Sequence, residues 1–336
     1  MAEGLIFVRS VKRRDIRRRD MLHFGIIGLG NIAHRFADSL SHFEEADFYA
    51  GASYTESKRE EFKKKYKPHI IYDNYEDLLN DQEVDVVYIC VPHSLHYKWC
   101  KEALLHDKCV LVEKPAVLKV NEFDELTALS RERHLFFMEA MKTRFLPLLK
   151  IVHKEINKGL IGDIISISNH FCFYLENHRK DHYLFDKEQG GCLYDTGCYG
   201  LASVCDFIKD DVISIKNDAT YCDGIDVHDR ITLTFRHGQK AFIECAMDSA
   251  DNRKMIIKGT KGDIIMDPYY RPMEAVFNLK DGESQTCTVE YDYDDFHGEI
   301  EAVLQSIAYL RIEHENYTHQ DNRRVIELME RIKESL

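Results

Sequence analysis

A two-domain α/β protein is what the sequence predicts: a Rossmann-type, doubly wound parallel sheet first, then an α+β domain built on a large, mainly antiparallel, open-faced sheet. Three observations carry the prediction. Between residues 23 and 142, short apolar runs alternate with amphipathic segments, the rhythm of parallel strands joined by crossover helices. A glycine turn, Gly28-Leu29-Gly30-Asn31-Ile32-Ala33, separates the first apolar run from the first helical segment. After residue 143 the rhythm changes to longer strand-like runs divided by turn residues.

Taken in order, strands are expected at 24–28, 48–52, 84–91, 109–113 and 135–139, each apolar enough to be buried on both faces. The clearest helix between them spans 32–43, where Ile32, Ala33, Phe36, Ala37, Leu40 and Phe43 share one side at helical spacing. A helix at 146–157 opens the second part. Strands follow at 163–174, 212–222, 226–235, 240–247, 254–257, 263–266 and 274–278, with turns at His237-Gly238, Lys261-Gly262 and Asp281-Gly282. Helices are expected over about 295–313 and 320–335. The domain boundaries implied are a dinucleotide-binding domain over 21–142 and a substrate-binding and oligomerisation domain over 143–336.

Residues 1–20 are set apart by charge, with seven basic side chains against three acidic ones in a chain whose net charge is -13. Their apolar run, 5–8, is too short for a signal peptide, and the acids argue against a transit peptide. The expectation is a disordered basic leader, with Met21 as a second start-like residue before the first strand. The acidic body disfavours nucleic acid and acidic membrane surfaces as partners, and no apolar run approaches the roughly 18 residues of a membrane-spanning helix. The ten cysteines are scattered without a Cys-x-x-Cys pair, which argues against a disulfide framework or zinc ribbon and for a reducing, cytoplasmic setting.

The glycine turn points to a dinucleotide. Gly28 permits the tight turn, Gly30 lets a pyrophosphate approach the backbone, and Ala33 keeps the helix close to the sheet, with Asn31 and Ile32 in its first turn. The second strand ends in Ala52-Ser53-Tyr54-Thr55, with no acid to hold the ribose hydroxyls of NAD. Hydroxyls at Ser53 and Thr55, with Lys58 and Arg59 beside them, favour the 2'-phosphate of NADP, while Glu56 keeps NAD open.

The chemistry is expected at two later places. Lys114, after the fifth strand and before Pro115, stands at the carboxyl edge of the sheet, where doubly wound folds bind ligands; desolvation and an oxidised nicotinamide beside it would lower its pKa. Farther on, Gly190-Gly191-Cys192-Leu193-Tyr194-Asp195-Thr196-Gly197-Cys198-Tyr199 opens a helix whose four-residue spacing puts Asp195 and Tyr199 on one face, a carboxylate and a phenol suited to proton transfer. His93 with His96, and His178 with His182, have the short spacing of metal pairs, but no third ligand accompanies either, and no metal is expected.

Together these motifs resemble the Gfo/Idh/MocA oxidoreductases. Gly28-x-Gly30-x-x-Ala33, Pro92-His93-Ser94-Leu95-His96, Glu113-Lys114-Pro115 and Gly190-Gly191-x-Leu193-x-Asp195-x-Gly197-x-Tyr199 occur in the family's order. Met138-Glu139-Ala140-Met141, Gly259-Thr260-Lys261-Gly262 and Phe296-His297-Gly298-Glu299-Ile300 extend the likeness over about 21–336. Tyr199, where many members have His, is most similar to the branch that includes dimeric dihydrodiol dehydrogenase. The resemblance implies an NAD(P)-dependent enzyme that moves a hydride between nicotinamide and a secondary alcohol or ketone of a sugar, polyol or diol.

By position it implies Lys114 as the catalytic lysine, Tyr199 as general acid/base with its phenol pKa lowered by Lys114, and Asp195 as the acid that orients substrate. Pro92, His93, His96, Glu113 and Tyr54 fall at cofactor-pocket positions, and residues 178–182 in a loop over the active site. Tyr54 replaces an arginine frequent in NADP-preferring relatives, and Lys142 replaces an aromatic common in the branch. The resemblance also implies sheet-to-sheet packing into a homodimer or homotetramer. The rival reading is a dinucleotide-sensing regulator of the same fold without turnover; the presence of Lys114, Asp195 and Tyr199 together argues for the enzyme.

Overall fold

The computed structural model describes residues 21–175, 183–250 and 253–335. The leader at 1–20 and the loop at 176–182, with His178 and His182, lie outside them. The first half runs β1 (Leu22–Ile27), α1 (Asn31–Leu40), β2 (Ala46–Ala52), α2 (Glu56–Tyr66), β3 (Ile70–Tyr72), α3 (Tyr75–Asn80), β4 (Val86–Ile89), α4 (His96–Leu105), β5 (Cys109–Glu113), α5 (Val120–Arg133) and β6 (Phe137–Ala140). All six strands pair in parallel in the order β3-β2-β1-β4-β5-β6. The short β3 was not anticipated, and β4 and β6 are shorter than the apolar runs that announce them.

Solvent exclusion explains the parallel sheet. Val86, Val87, Tyr88 and Ile89 are fully buried, as are Phe24, Ile26 and Ile27 beside them, so β4 and β1 need helices on both faces. From α1, Ala33, Phe36, Ala37 and Leu40 supply one such cover, and the Phe36 ring stacks on Tyr88 with centroids 3.7 Å apart. The strand order reverses between β1 and β4. Loops leaving these two strands diverge there and open a crevice.

The second half runs α6 (Pro147–Asn157), β7 (Ile164–Cys172), a π-helical turn (Leu193–Gly197), α7 (Cys198–Phe207), β8 (Val212–Cys222), β9 (Ile225–Phe235), β10 (Lys240–Ala246), β11 (Met255–Gly259), β12 (Gly262–Met266), β13 (Glu274–Leu279), β14 (Gln285–Thr288), α8 (His297–Ala308) and α9 (His319–Glu334). Its eight strands are ordered β14-β13-β12-β11-β7-β10-β9-β8. All neighbours are antiparallel except β7 and β10, which run in parallel. One face packs on α7 through β7 and β10, with Ile243 close against Gly200 and Asn169 donating to the Gly200 carbonyl at 3.1 Å. On the other, Phe242, Ser168, Ile256, Ile265 and Val276 stand in register across five strands, and Phe242 is exposed.

The C-terminal segment returns to the first sheet. The backbone N–H of Phe137 in β6 donates to the Ile312 carbonyl at 3.0 Å, and the Tyr317 hydroxyl donates to the buried Glu139 carboxylate at 2.9 Å. Ahead of α8, Asp295 is ion-paired to both Arg35 of α1 and Lys142. These ties hold the two sheets on either side of one cleft.

Candidate active site

The cleft has a volume of about 1040 Å³, and its wall draws on both halves of the chain. Gly30, Asn31 and Ile32 line it, and so do Lys114, Asp195 and Tyr199. The volume matches that of pockets that enclose a small-molecule ligand.

The glycine turn is built as expected. Gly28 has φ +95°, and a Cβ there would sit 2.6 Å from the Cys90 carbonyl oxygen, so only glycine fits between β1 and β4. At Gly30, by contrast, a Cβ would meet nothing within 4 Å: the backbone faces open space. No side chain caps α1 and no acid occupies its first turn, which leaves its N–H groups and positive dipole end for an anion. A dinucleotide pyrophosphate fits that description. Ala33 is fully buried against the sheet.

The adenosine end is less regular. Lys58 lines the cleft, but its walls include neither Ser53 nor Tyr54. Ser53 is buried and its hydroxyl accepts the Thr55 N–H at 3.2 Å, while Arg59 donates to the Ser53 carbonyl at 2.8 Å. Tyr54 is 59% exposed and its ring leans on Tyr75. The expected group of hydroxyls and cations is therefore only partly assembled.

Pro92, His93 and His96 also line the cleft. Burial drives both imidazoles to the neutral form, His93 down to about 3 and His96 to about 4. Both ring nitrogens of His96 are engaged. His96 lies 2.8 Å from the carbonyls of both Val91 and Pro115, bracing the loops after β4 and β5. His93 contacts the Gln189 carbonyl at 3.0 Å, and Ser94 bonds the Gln189 side chain, so this loop is fastened to the second half. Glu113 accepts a hydrogen bond from Tyr88.

Lys114 leaves β5 through a cis peptide to Pro115. Its ammonium, on a side chain 12% exposed, donates to Asp195 Oδ1 and to the Asp195 carbonyl, each at 2.7 Å. It also stands 5.1 Å from the centroid of the Tyr199 ring. The three groups expected to act together do meet. Their proton affinities differ from expectation. Burial by itself would lower the Lys114 pKa, but the Asp195 carboxylate and the Tyr199 phenol outweigh it and raise the pKa well above the ordinary value. Tyr199 is likewise raised, by burial, with Lys114 opposing. In the free protein one is a firm cation and the other a protonated phenol.

Local packing explains how Asp195 and Tyr199 reach the cleft. The helix is not regular α: Leu193–Gly197 form a π-helical turn before α7 begins, a widening frequent at functional sites. Gly191, at φ +102°, approaches Asp226 so closely that a Cβ would fall 2.0 Å from its Oδ1. Asp226 in turn accepts the Leu193 N–H at 3.0 Å and an ion pair from Lys333. Behind the turn, Cys192, Asp229 and Cys245 are buried with donor atoms within 4.8 Å of one another, a cluster that the sequence reading, attentive to histidine pairs, missed.

Two family descriptions match this chain: "Oxidoreductase family, NAD-binding Rossmann fold" (GFO_IDH_MocA) over residues 22–141 and "GFO/IDH/MocA C-terminal domain" over 150–265. The trans-1,2-dihydrobenzene-1,2-diol dehydrogenase of Bos taurus is 30% identical over 262 residues, covering 76% of this chain and 77% of its own. The chain belongs to the Gfo/Idh/MocA oxidoreductase family. The scyllo-inositol 2-dehydrogenase (NADP(+)) IolU of Bacillus subtilis is 26% identical over 94% of this chain and 97% of its own. In fold the chain is similar to KijD10, a 3-ketoreductase from Actinomadura kijaniata solved with NADP and TDP-benzene, at a TM-score of 0.84 and 24% identity, covering 94% of this chain and 97% of that one.

This Gfo/Idh/MocA chain also brings to its cleft residues that sequence reasoning passed over: Phe171, Phe173, Tyr183, Arg253, Tyr270 and Arg271. They come from β7, the loops beside it and the segments flanking β11 and β12. The one signal available was Tyr269-Tyr270-Arg271, two aromatics and a cation in a turn.

Proposed function

We propose that the protein is an NADP-preferring dehydrogenase or reductase acting on a secondary alcohol or ketone of a small sugar, polyol or diol. The observation that carries this is the contact of Lys114 with both Asp195 and Tyr199 in the cleft that begins at the α1 glycine turn. When bound, the nicotinamide accepts or donates the hydride. The chain's own residues handle the proton. Tyr199, held protonated by burial, donates to the oxygen of a ketone; in the oxidising direction the Lys114 charge stabilises the phenolate that takes the hydroxyl proton. Asp195 fixes the Lys114 ammonium and presents its carboxylate to a neighbouring hydroxyl.

The preference for NADP is supported by the lack of an acid at the end of β2 and by Lys58 in the cleft wall. The roles of the two halves follow: residues 21–142 bind the dinucleotide, and 143–336 bind substrate and associate. Among the described residues no helix is long and apolar enough to cross a membrane. A cytoplasmic homodimer or homotetramer is proposed, formed through the row of Phe242, Ile256, Ile265 and Val276, without nucleic acid or membrane partners. The decisive experiment follows absorbance of the reduced nicotinamide with NADP+ or NAD+ and a panel of polyols, sugars and diols. Dinucleotide-dependent reduction by at least one panel member is expected; binding of the dinucleotide with no turnover on any of them would leave the sensor reading standing instead.

A further inference from the structure

We propose that the substrate carries a fixed negative charge, a carboxylate or a phosphate monoester, which the guanidinium groups of Arg253 and Arg271 receive. The inference deepens the dehydrogenase reading and rests on it.

A countercharge census of the cleft points this way. Of the other cations in its wall, Lys114 is paired with Asp195, Lys142 and Arg35 share Asp295, and Lys58 belongs to the proposed dinucleotide site. Arg253 and Arg271 also line the cleft, and among the described residues neither has a carboxylate within 4.0 Å. The surplus is local: the chain as a whole carries -13. Two unneutralised guanidiniums in the wall of this cleft, in an otherwise acidic protein, make it attractive to anions.

Their placement relative to the chemistry is defined by stacked rings. Phe171 lies 5.7 Å from Tyr199 and 4.2 Å from Tyr270, measured between centroids. Arg253 stands 5.7 Å from the rings of both Phe171 and Tyr270 and donates to the Tyr270 hydroxyl at 2.9 Å, which fixes its orientation. Arg271 stands 5.1 Å from the Tyr270 ring on a separate segment. The guanidiniums are thus one small-molecule length from the Tyr199 phenol. A carbon skeleton against the Phe171 and Tyr270 rings would span from the reacting oxygen to the anion. A guanidinium presents a planar fork of N–H donors that matches a carboxylate or phosphate in a way a hydroxyl does not.

The test uses calorimetric titration of the full-length protein, first with NADP+ and NAD+, then, saturated with the tighter of the two, with D-glucose, D-glucuronate and D-glucose 6-phosphate. These hexoses share a stereochemistry and differ at carbon 6. At least one anion is expected to bind about tenfold or more tighter than glucose, the scale of a charge-assisted hydrogen-bond pair. Which anion wins distinguishes a carboxylate from a phosphate substrate. Arg253→Gln and Arg271→Gln should each lower the anion-to-glucose affinity ratio by about tenfold, and added salt should lower it in the parent protein. Glucose binding as tightly as both anions, no measurable binding of either anion, or a preference that survives in the double variant overturns the proposal. Failure to bind either dinucleotide sinks the dehydrogenase reading itself; dinucleotide binding without anion preference sinks only the substrate class.

Discussion

Removing the Lys114 charge while keeping its aliphatic stem, as in Lys114→Met, isolates the electrostatic part of the proposed mechanism. The ammonium lies 5.1 Å from the Tyr199 ring centroid. Taking that as the charge separation, with an effective dielectric constant of about 20, it stabilises a phenolate by about 3 kcal/mol. Each 1.4 kcal/mol or so is a factor of ten, so turnover in the oxidising direction should fall about 100-fold or somewhat more. Because Tyr199 is already raised by burial and Lys114 is what opposes the rise, the variant's phenol titrates still higher. The rising limb of its pH-rate profile should therefore move alkaline by about two pH units. The assay is steady-state reduction of NADP+ across pH, with NADPH binding followed separately by its fluorescence. Turnover within about threefold of the parent, with the limb unmoved, would refute the assignment of Lys114 as the charge that activates Tyr199.

Three further outcomes follow. Tyr199→Phe should cost on the order of 100-fold in turnover while NADPH binding persists, and unlike Lys114→Met it should abolish the pH limb; a retained limb would assign that titration elsewhere. The two turn glycines should separate cleanly. Gly28→Ala, forced to φ +95° with a Cβ 2.6 Å from the Cys90 carbonyl, should destabilise the fold by about 1–3 kcal/mol in thermal melts, whereas Gly30→Val should leave the melt nearly unchanged and weaken NADPH about tenfold or more; equal melts for both would contradict this. Acid should destabilise the fold through His93 and His96, whose folded pKa values of about 3 and about 4 lie below the ordinary 6.5. The unfolded chain binds the extra protons, so stability is lost as pH falls from about 6.5 toward 4, by up to about 1.4 kcal/mol per histidine per pH unit. Denaturant titrations across that window should show the slope, and His96→Gln should reduce it; identical slopes would place the linkage in other groups.

What was legible in the sequence, and what was not, follows from the range of the forces involved. The solid apolar run at Val86–Ile89 and the one-sided face of α1 announce their own burial, because exclusion from water is written in the residues themselves. The Gly28 and Gly30 positions were readable because a tight turn admits few alternatives. By contrast β3 has three residues and β14 is polar, so neither has a period to read. The helix expected over 295–313 stops at Ala308, where Tyr309 and Leu310 turn out of it, Leu310 at φ +58°.

At the site, residue identities were legible and environments were not. Lys114 gains its raised pKa from Asp195, which reaches it by both carboxylate and carbonyl from a distant segment. The widened turn at Leu193–Gly197 depends on close approach by Asp226 and Cys245, which no local pattern reveals. Arg253 and Arg271 come to the same tyrosine ring because β11 and β12 bring their flanking segments together there.

The tie between Phe137 and Ile312 has a consequence for synthesis. β6 is the outermost strand of the parallel sheet, and the backbone that covers its free edge, with the hydroxyl that satisfies Glu139, belongs to residues 312–317. During translation the dinucleotide half leaves the ribosome first but cannot close this flank until residues 312–317 have followed. For that interval the nascent chain exposes the outer edge of β6, the kind of edge on which chains adhere to one another. Yield from a rapidly translated message should therefore respond to chaperone supply more than the stability of the finished protein would suggest.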